Sequence, residues 1–590
     1  MININFFKLL IYFSFKLIIL EFKLLKAKLI YLKNFFRTFS ILKIVCYFFN
    51  KKIYPFKDYN TNEYLIKNHK IWPKSKYLNK NKNILVDLSL GHHPIYVISN
   101  CLIAKDLSKF TKENITAVIK KYDFQTTLIA KSFGINNIIF IKKENFFQNF
   151  YFFFKSFFYI YSKYSEKNII NFKYKNIEVG KAAYEHALRY YLDDSPKNHD
   201  FLIYLSIGKA MYSVNMVNNI FNRFKFSNYI LSELQFIPNK IFFHKSLQLK
   251  IPVFARFGGG LENICVRSYR KYSDRNSFKL KYSKALVNYL VKNYKKKLKN
   301  NIDKYFKKTN QIARIGYEDA FGKYQTKPKN VNFINRKQFN SNLNIKKNIP
   351  NVLILPHVLS DNIFNCEWSL FSSPMAWYIN TLKYIKKIDN VNWIIRAHPS
   401  ENMYATNLNA KKIFNKIIKN KKNIILLSDK IHIKKIYNFV DAVITCHGSA
   451  GYEYTSLGIP VITTADARYT DFDFTIAPRT KNEYLKTLNN IRKIKKINSE
   501  KIFKAKLFWY MNRVACRMDH GFLPIFDPVR SFDRKKFWIK ARKINNIKSL
   551  KNNNFSKNFE IQFKNKNRHT INFEFFGKIN NFSKKKFYDT

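Results

Sequence analysis

The sequence predicts an α/β protein with two Rossmann-like domains and an N-terminal amphipathic helical segment. From Asn81 onward, short apolar runs alternate with segments of helical periodicity, and loops rich in glycine or polar residues follow several of those runs. Strands that alternate with helices form parallel sheets with right-handed crossovers. A chain of 590 residues is also long enough to build two or three domains without disulfide bonds.

We expect six segments, divided where the composition or the periodicity changes. They are an N-terminal amphipathic, membrane-associating segment (1–80), an N-terminal Rossmann-like domain (81–265), a basic helical connector (266–349), a C-terminal Rossmann-like domain (350–500), a helical segment (501–544) and a Lys/Asn-rich tail (545–590). The composition of the tail predicts that it is mobile.

The chain is strongly basic, with 106 Lys and Arg against 38 Asp and Glu, a net charge of +68. Such an excess is typical of proteins that bind nucleic acid or an anionic membrane. Lys, Asn, Ile, Phe and Tyr are abundant together, however, and Lys exceeds Arg, as an AT-rich genome would produce. We therefore predict no specific nucleic-acid partner. The six cysteines form no CxxC pair, so we expect neither a zinc site nor a disulfide framework, and a reducing cytoplasm fits best.

Residues 2–48 are rich in Phe, Leu and Ile, but charged residues interrupt every stretch that approaches the ~20 apolar residues needed to span a bilayer. The interrupting residues are Lys8, Lys16, Glu21 and Lys23. On a helical wheel most lysines of this stretch gather on one side and leave a broad apolar face. We therefore predict an interfacial helix on an anionic leaflet. A helix packed against the core of the protein itself is the alternative.

The first domain carries candidate ligand-contacting residues near the end of a strand. Asp87 lies at the end of strand Ile84–Leu88, and Gly91 and His92 lie in the loop that follows. Ligands of parallel sheets bind beyond the carboxyl ends of the strands, so we expect these residues to face a cleft. The structural alternative is an ordinary turn with an exposed histidine.

A strand–helix–strand unit follows in the same domain. It consists of strand Tyr229–Ser232 with Glu233 at its end, helix Asn239–Leu249 and strand Val253–Arg256. Three glycines follow the last strand: Gly258, Gly259 and Gly260. Consecutive glycines mark a loop that turns sharply or approaches a ligand. The Lys-rich helix within residues 271–308 is interpreted as a solvated connector or lid, because it lacks the motifs of nucleic-acid-binding modules.

Polar side chains follow three of the strands that we predict in the second domain. The predicted strands are Val352–Leu355, Trp393–Ile395, Ile424–Leu427, Ala442–Thr445 and Val461–Thr463. The polar residues are His357 and Asp361 after the first strand, Arg396, His398 and Glu401 after the second, and His447, Ser449, Gly451 and Glu453 after the fourth. Because parallel strands end at one edge of a sheet, we expect these loops to converge. Taken singly, each loop is equally consistent with an ordinary turn.

The loop after the fourth strand is built from small residues and leads into a helix. Small residues let the backbone approach a ligand, and the N–H groups and positive end of the helix favour an anion, most simply a phosphate. Arg396 and His398 would neutralise that phosphate. Ser449 and the N–H groups near Gly451 would hold its oxygens, and Glu453 would accept hydrogen bonds from a ribose or sugar hydroxyl.

Several strings of the sequence resemble bacterial capsule and surface polysaccharide biosynthesis glycosyltransferases of the GT-B type. In the second domain these strings are ILPHVLSD, NVNWIIRAHPSE and ITCHGSAGYEYTSLGIPVITTADARYTDFDFTIAPRTKNEYLKTL. In the first domain they are NIEVGKAAYEHALRYY and the Glu233 strand with SLQLKIPVFARFGGG. The resemblance covers roughly residues 80 to 530. It implies a GT-B-like fold with two facing Rossmann-like domains, in which the second binds the nucleotide-sugar, the first binds the acceptor and the helix within 501–544 returns to the first domain.

The resemblance also implies roles for individual residues. His398 would contact the donor phosphate, and Ser449 with Gly451 would cap it, while Arg396 stands where lysine is often expected. The loop of Gly258, Gly259 and Gly260 would contact the acceptor. The candidates for the base that deprotonates the acceptor are Asp87, His92 and Glu233. The remaining donor-binding residues would be His357, Asp361, Glu401, His447 and Glu453.

We expect neither a metal nor a cofactor besides the nucleotide-sugar co-substrate. Asp471-Phe-Asp473 matches a DxD string, but it resembles the family's Tyr-x-x-x-Gly-Phe-Thr region, so we do not predict a metal there.

The predicted function is transfer of a sugar from a nucleotide-sugar to a growing capsular or O-antigen-type polysaccharide, or to a lipid-linked acceptor. The protein would be cytoplasmic and peripheral on the inner face of the cell membrane. The nearest alternative is a polyol-phosphate transferase that uses CDP-glycerol or CDP-ribitol. Outside enzymes, the alternatives are a non-catalytic membrane scaffold and a basic nucleic-acid-binding protein.

Overall fold

The computed structural model describes residues 4–50, 53–72, 82–90, 94–190, 199–257, 264–276, 281–282, 284–309, 333–360, 363–364, 366–398, 401, 409–419, 421–428, 431, 433–523, 534–545 and 553–572. The chain divides into two compact units, each assembled from three stretches. The first unit is Met1–Ala187, Pro196–Arg256 and Asp519–Ser556, and the second is Leu188–Ser195, Phe257–Met518 and Lys557–Thr590.

Helices contain more residues than strands in both units. In chain order they are α1 (Ile4–Thr38), α2 (Ile41–Phe49), α3 (Tyr59–Ile71), α4 (Pro94–Thr111), α5 (Phe124–Ser132), α6 (Phe146–Ile160), α7 (Glu166–Ile170), α8 (Gly180–Tyr190), α9 (Phe201–Arg223), α10 (Asn239–Gln248), α11 (Lys284–Thr309), α12 (Arg336–Asn342), α13 (Pro374–Ile385), α14 (Ala410–Ile417), α15 (Ala450–Thr455), α16 (Lys481–Asn489), α17 (Ser499–Tyr510), α18 (Arg534–Ile544) and α19 (Asn554–Lys564).

The strands are short, and most belong to two parallel sheets. In chain order they are β1 (Asn83–Asp87), β2 (Asn114–Lys120), β3 (Asn137–Ile141), β4 (Lys173–Tyr174), β5 (Ile177–Glu178), β6 (Phe226–Leu231), β7 (Val253–Phe257), β8 (Cys265–Tyr269), β9 (Asn351–Leu355), β10 (Asn392–Ile395), β11 (Ile424–Leu426), β12 (Ala442–Thr445) and β13 (Val461–Thr463).

The two units share one strand order. The first sheet has the order β3-β2-β1-β6-β7-β8, and its first five strands repeat the order of the second sheet, β11-β10-β9-β12-β13, with neighbours among these five paired in parallel. In each set of five, the first strand lies in the middle, the next two lie on one side of it and the last two on the other. Each sheet is therefore doubly wound. The strand order reverses between β1 and β6 in the first sheet and between β9 and β12 in the second. The predicted α/β class with two Rossmann-like domains is confirmed.

Local sequence explains where several helices of the first unit begin. The Asp58 carboxylate accepts the Thr61 N–H at the start of α3, and the N-cap Asp123 does the same for α5. Asn145 and Gln148 form a reciprocal capping box at the start of α6. The strands are apolar and mostly buried, as expected when helices cover a parallel sheet.

The predicted N-terminal helical segment is present as α1 and α2. One face of α1 is packed inside the first unit, where the Phe13 ring centroid lies 5.9 Å from that of Phe153 and 5.7 Å from that of Phe201. Packing against the core, the alternative considered for this helix, thus explains only the buried face of α1, since most of its other side chains are exposed. No helix within the described residues combines the length and the apolar content needed to cross a membrane.

The Lys-rich segment that the sequence predicts to be a solvated connector is instead part of the second unit's core. Leu290, Leu298, Ile302 and Phe306 of α11 are buried there, while the lysines between them are exposed or partly exposed. A stripe at intervals of four residues lies on one face of a helix. The abundance of lysine concealed this stripe in the sequence.

The helical segment 501–544 is divided between the units. Helix α17 and the π-helical turn that follows it, Met511–Ala515, lie in the second unit. The chain enters the first unit at Asp519, and α18 packs against α3 there, with the Trp538 and Tyr64 rings 5.3 Å apart. Part of the tail predicted to be mobile is also folded, since α19 buries Phe555 and Phe559.

Candidate functional site

The loops predicted to converge lie at the carboxyl edge of the second sheet. β9 is the central strand, paired with β10 on one side and β12 on the other. The last residue pair of β9 with β12 is Leu355 with Thr445. Continued outward, this register places His447 opposite His357. The register of β9 with β10, continued in the same way, places His398 opposite His357 as well.

The imidazole rings of these three histidines lie close together. The ring centroid of His357 lies 4.6 Å from that of His447 and 6.0 Å from that of His398. β9 and β12 flank the point where the strand order reverses, which is where doubly wound sheets bind their ligands. The predicted convergence of the three loops is therefore present for their histidines.

One hydrogen bond orients the central imidazole. His357 Nδ1 lies 3.1 Å from the carbonyl oxygen of Val358. A carbonyl oxygen only accepts hydrogen bonds, so Nδ1 carries the proton that is donated. In the neutral imidazole Nε2 is then a lone-pair acceptor, and in the charged imidazole it is a second donor.

Arg396 and Glu453 are buried beside the phenol of Tyr454. The Arg396 N–H donates to the carbonyl oxygen of Ile354 at 3.0 Å, which continues the sheet beyond the last residue of β10. Burial raises the pKa of Tyr454 well above its ordinary value, the charge of Glu453 raises it further and the charge of Arg396 lowers it. Both charged groups thus act on one hydroxyl.

Glu401 supports the start of α14. Its Oε1 accepts the N–H of Ala410 at 2.9 Å, and its own N–H donates to the His398 carbonyl oxygen at 3.1 Å. The side chain is buried. Glu401 therefore connects the His398 loop to a helix, a structural role that the sequence did not indicate.

The turn at the start of α15 is filled by a tyrosine. The Tyr469 hydroxyl donates to the Gly448 carbonyl oxygen at 2.6 Å, and the Gly451 N–H donates to the same oxygen at 3.2 Å. A Cβ atom at Gly451 would lie 2.0 Å from the Tyr469 hydroxyl oxygen. Gly451 is thus required for packing against Tyr469. Ser449 is partly exposed, as are His447 and Gly448, and its hydroxyl makes no capping hydrogen bond, so a ligand can reach that hydroxyl.

Asp87 ends β1 at the reversal point of the first sheet. Its Oδ1 accepts the Ser89 N–H at 2.7 Å, and its Oδ2 lies 3.4 Å from the Tyr229 hydroxyl and also accepts the side-chain amide of Asn239. Burial raises the pKa of Asp87, while the hydrogen bonds from Ser89 and the charge of Lys120 oppose that rise. The carboxyl consequently retains its proton to higher pH than an exposed aspartate does.

Glu233 follows β6, the strand on the other side of that reversal point. Its Oε1 accepts the N–H of Gln235 at 2.7 Å, which closes a short turn after the strand. The side chain is only partly buried. Of the two described base candidates, Glu233 is therefore more accessible than Asp87.

Several predicted site residues lie outside the described part of the chain. They are the base candidate His92, the donor-loop residue Asp361 and the acceptor-loop residues Gly258, Gly259 and Gly260.

The DxD string lies beside a lysine. Lys281 Nζ is 2.8 Å from Asp466 Oδ1, 3.4 Å from Glu367 Oε2 and 3.6 Å from Asp471 Oδ2. Asp473 has a left-handed backbone conformation, with φ of 55°. Within the described ranges no group of three or more His, Cys, Asp or Glu side chains is arranged to hold a metal ion.

Two contacts, one in each unit, were missed from the sequence. No role was predicted for Tyr469, and only the packed structure places it against Gly451. Lys240 and Glu185 form a buried ion pair of 2.9 Å between α10 and α8 in the first unit. Glu185 lies among apolar residues of α8, between the buried Tyr184 and Ala187. A buried charge needs a partner, so this position could have predicted an ion pair from the sequence.

No family model matches the chain, and no curated protein matches its sequence. Among solved structures, the chain is similar to the KpsC β-Kdo 2,7 transferase of Thermosulfurimonas dismutans (12% identity, 56% of this chain and 90% of that chain, TM-score 0.30). It is also similar to a glycosyltransferase of Rickettsia africae (12%, 80% and 100%, TM-score 0.24) and to the wall teichoic acid polymerase TagF (10%, 82% and 93%, TM-score 0.22). Because these identities and TM-scores are low, the function is inferred from the residues of the site.

Proposed function

We propose that this protein is a GT-B-type glycosyltransferase that moves a sugar from a nucleotide-sugar to a growing surface polysaccharide or a lipid-linked acceptor. The observation that carries the proposal is the row of His357, His398 and His447 at the reversal point of the second sheet. Imidazoles at a strand-end crevice neutralise and hydrogen-bond phosphate oxygens. The second unit would therefore hold the nucleotide-sugar by its phosphates.

The transfer step needs both a base and stabilisation of the leaving group. The acceptor oxygen bonds to the anomeric carbon of the donor as the bond from that carbon to the nucleotide phosphate breaks. The hydroxyl proton passes to the base, and the electron pair of the broken bond stays on the phosphate. His398 and His447, with the Ser449 hydroxyl, would stabilise that charge, and the buried Arg396 would add positive potential.

The base would come from the first unit, where Asp87 and Glu233 lie on the two sides of the other reversal point. The raised pKa of Asp87 brings it closer to neutral pH, which favours proton uptake. Glu233 is the more accessible of the two. His92 remains a third candidate, and the loop of Gly258, Gly259 and Gly260 would contact the acceptor.

Protein side chains would supply the positive charge at the leaving phosphate. We therefore expect turnover to persist in EDTA without an added divalent metal. The enzyme would work in the cytoplasm, at the inner face of the membrane where a lipid-linked acceptor is available.

The test is to incubate the full chain with a panel of nucleotide-activated sugars and polyols and to measure nucleotide release. Thermal protection by CMP, CDP, UDP or GDP identifies the nucleotide independently of turnover. His398→Ala and Ser449→Ala should abolish release and leave the unfolding temperature unchanged. The matched control is His69→Ala, since His69 is an exposed histidine on α3.

Three outcomes would overturn the proposal. Nucleotide release from CDP-glycerol or CDP-ribitol alone would identify a polyol-phosphate transferase. Unchanged turnover in both site variants would place the active site elsewhere. Binding to nucleic acid that falls steeply with salt, without protection by any nucleotide, would indicate a nucleic-acid-binding protein.

A further inference from the structure

Helix α1 presents an exposed apolar surface along most of its length. All side chains of residues 22–34 are exposed, and Phe15, Phe22 and Leu29 each expose more than 60% of their surface. Phe13 and Leu17 are buried and form the inner face of the helix. The exposed aromatic and aliphatic side chains therefore do not serve the core of the unit.

Helix α6 extends this surface, although it is distant from α1 in sequence. Its inner face carries Phe153 and Phe157, which are buried, while Phe147 exposes 79% and Phe158 exposes 61% of its surface. The Phe158 ring centroid lies 5.9 Å from that of Phe6 in α1. The exposed faces of α1 and α6 are thus in contact with each other.

Helix α2 follows α1 directly in the chain and also exposes apolar side chains. Its buried residue, Tyr47, packs against Tyr54, while Leu42 and Phe49 are among the most exposed apolar residues of the chain. Monomeric proteins rarely expose apolar patches larger than a few hundred Å². Exposed apolar side chains on three helices of one unit are therefore typical of an interaction surface.

The charges of these helices indicate the chemistry of that partner. α1 carries seven basic residues, Lys8, Lys16, Lys23, Lys26, Lys28, Lys33 and Arg37, and one acidic residue, Glu21. Glu21 accepts a hydrogen bond of 2.8 Å from the side chain of Asn149 in α6. α2 and α6 add Lys43 and Lys155 and no acidic residue. The partner is therefore anionic as well as apolar.

A second copy of the chain does not meet this requirement. It would bring one strongly basic helix against another, and like charges at an interface oppose association. A bilayer with anionic headgroups provides both an apolar interior and a negative surface, and lysine stems extend to its headgroups. Because no described helix is long and apolar enough to cross a membrane, α1 would lie in the interface plane over ~50 Å.

We propose that α1, α2 and the outer face of α6 form a single docking surface for an anionic lipid bilayer. The inference rests on exposure and charge within the first unit and does not depend on the transferase function. It differs from a simple N-terminal anchor because α6, which follows β3 in the chain, would also contact lipid. The orientation of the first unit on the membrane would then be fixed by α6 as well as by the two N-terminal helices.

The test is co-sedimentation of the full chain with vesicles of phosphatidylcholine alone or mixed with phosphatidylglycerol. The α1 variant combines Phe15→Ser, Ile19→Ser and Phe22→Ser, and the α6 variant combines Phe147→Ser and Phe158→Ser. The control combines Leu249→Ser and Ile334→Ser, which remove exposed apolar side chains outside the surface. All three should unfold at the wild-type temperature.

We expect the wild type to bind the anionic vesicles and to be released by salt. The α1 variant should bind at least about tenfold more weakly and the α6 variant several-fold more weakly, because each loses apolar area that enters the bilayer. The control should bind as the wild type does. Protection by nucleotide should be unchanged in all variants, which separates this test from that of the transferase proposal.

Wild-type binding by the α6 variant would overturn the combined surface. Equal binding of the wild type to neutral vesicles would overturn the anionic specificity. A wild-type dimer in lipid-free buffer that both variants convert to monomer, with no vesicle binding by either form, would assign the surface to a second copy instead.

Discussion

The imidazole rings of His357 and His447 lie 4.6 Å apart at the ends of β9 and β12. These strands are neighbours in the sheet but are separated in sequence by β10 and β11, so the pair exists only because the sheet is doubly wound. The hydrogen bond from His357 Nδ1 to the Val358 carbonyl oxygen fixes which ring nitrogen carries the proton in the neutral imidazole. Two imidazoles at this spacing can contact one phosphate group together.

This pairing predicts non-additive losses in a double-mutant cycle. His357→Ala and His447→Ala should each lower kcat for nucleotide release by about 10²–10³, the usual cost of removing one donor to a developing oxyanion. Because both act on one group, the double variant should lose less than the product of the single losses. His69→Ala should retain full kcat. Strictly multiplicative losses would show that the two histidines act on different groups.

Gly451 predicts a stability effect that a phosphate-binding role alone does not. Gly451→Ala should destabilise the second unit by about 1–3 kcal/mol, because its Cβ would lie 2.0 Å from the buried Tyr469 hydroxyl. Gly448→Ala should cost less, since its nearest contact is Thr445 Oγ1 at 3.1 Å. The denaturant midpoints of the two variants measure this difference in stability. Equal midpoints would show that the Tyr469 ring moves aside at little energetic cost.

His186 predicts acid sensitivity of the fold. Burial, aided by the charge of Lys209, lowers the pKa of His186 to about 3, while in the unfolded chain it titrates near ~6.5. Between these values the unfolded chain holds one more proton than the folded chain. The free energy of unfolding attributable to this residue therefore falls as the pH falls, by about 1.4 kcal/mol per pH unit.

Chemical denaturation at several values between pH 7 and pH 4 measures this slope. His186→Leu should flatten it relative to the wild type, whereas His69→Leu should not, because His69 is exposed. The same slope in the wild type and His186→Leu would assign the acid sensitivity to other groups.

The buried ion pair of Lys240 and Glu185 predicts a large single-mutant effect that a second mutation repairs. Lys240→Met leaves the Glu185 carboxylate buried without this cation and should cost about 3–5 kcal/mol. Lys240→Met combined with Glu185→Leu should recover most of that loss, because neither charge remains. Urea denaturation of both variants gives the comparison. A double variant as unstable as Lys240→Met would show that packing, and not charge, dominates at this pair.

The sequence predicted the strands of both sheets well and some helices poorly. β12 and β13 have the predicted bounds because each is a short apolar run that follows a residue unfavourable in strands, Asp441 or Pro460. Helices α6 and α9 were not predicted, since the Phe-rich run of α6 and the mixed apolar run of α9 resemble the surrounding chain in composition. The buried face of α11 was hidden by its lysines. Periodicity identifies a face only where composition contrasts with its background.

The site was predicted as loops and not as a geometry. The predicted strand ends identified His357, His398 and His447 as site residues. Their alignment opposite one another depends on the register between strands that are distant in sequence. Glu401 and Gly451 were predicted to bind the donor, but the structure gives them roles in packing for the same reason. Each is held by a neighbour, Ala410 or Tyr469, that only tertiary packing supplies.

The packing of α18 against α3 has a consequence for the order in which the protein folds. The Trp538 ring covers Tyr64, and the Asn545 side chain donates to the Tyr64 carbonyl oxygen at 3.1 Å. Nearly the whole second unit lies between these residues in the chain. On the ribosome, the first unit therefore stays incomplete until the second has been synthesised, and its exposed apolar helices must remain free of aggregation during that interval.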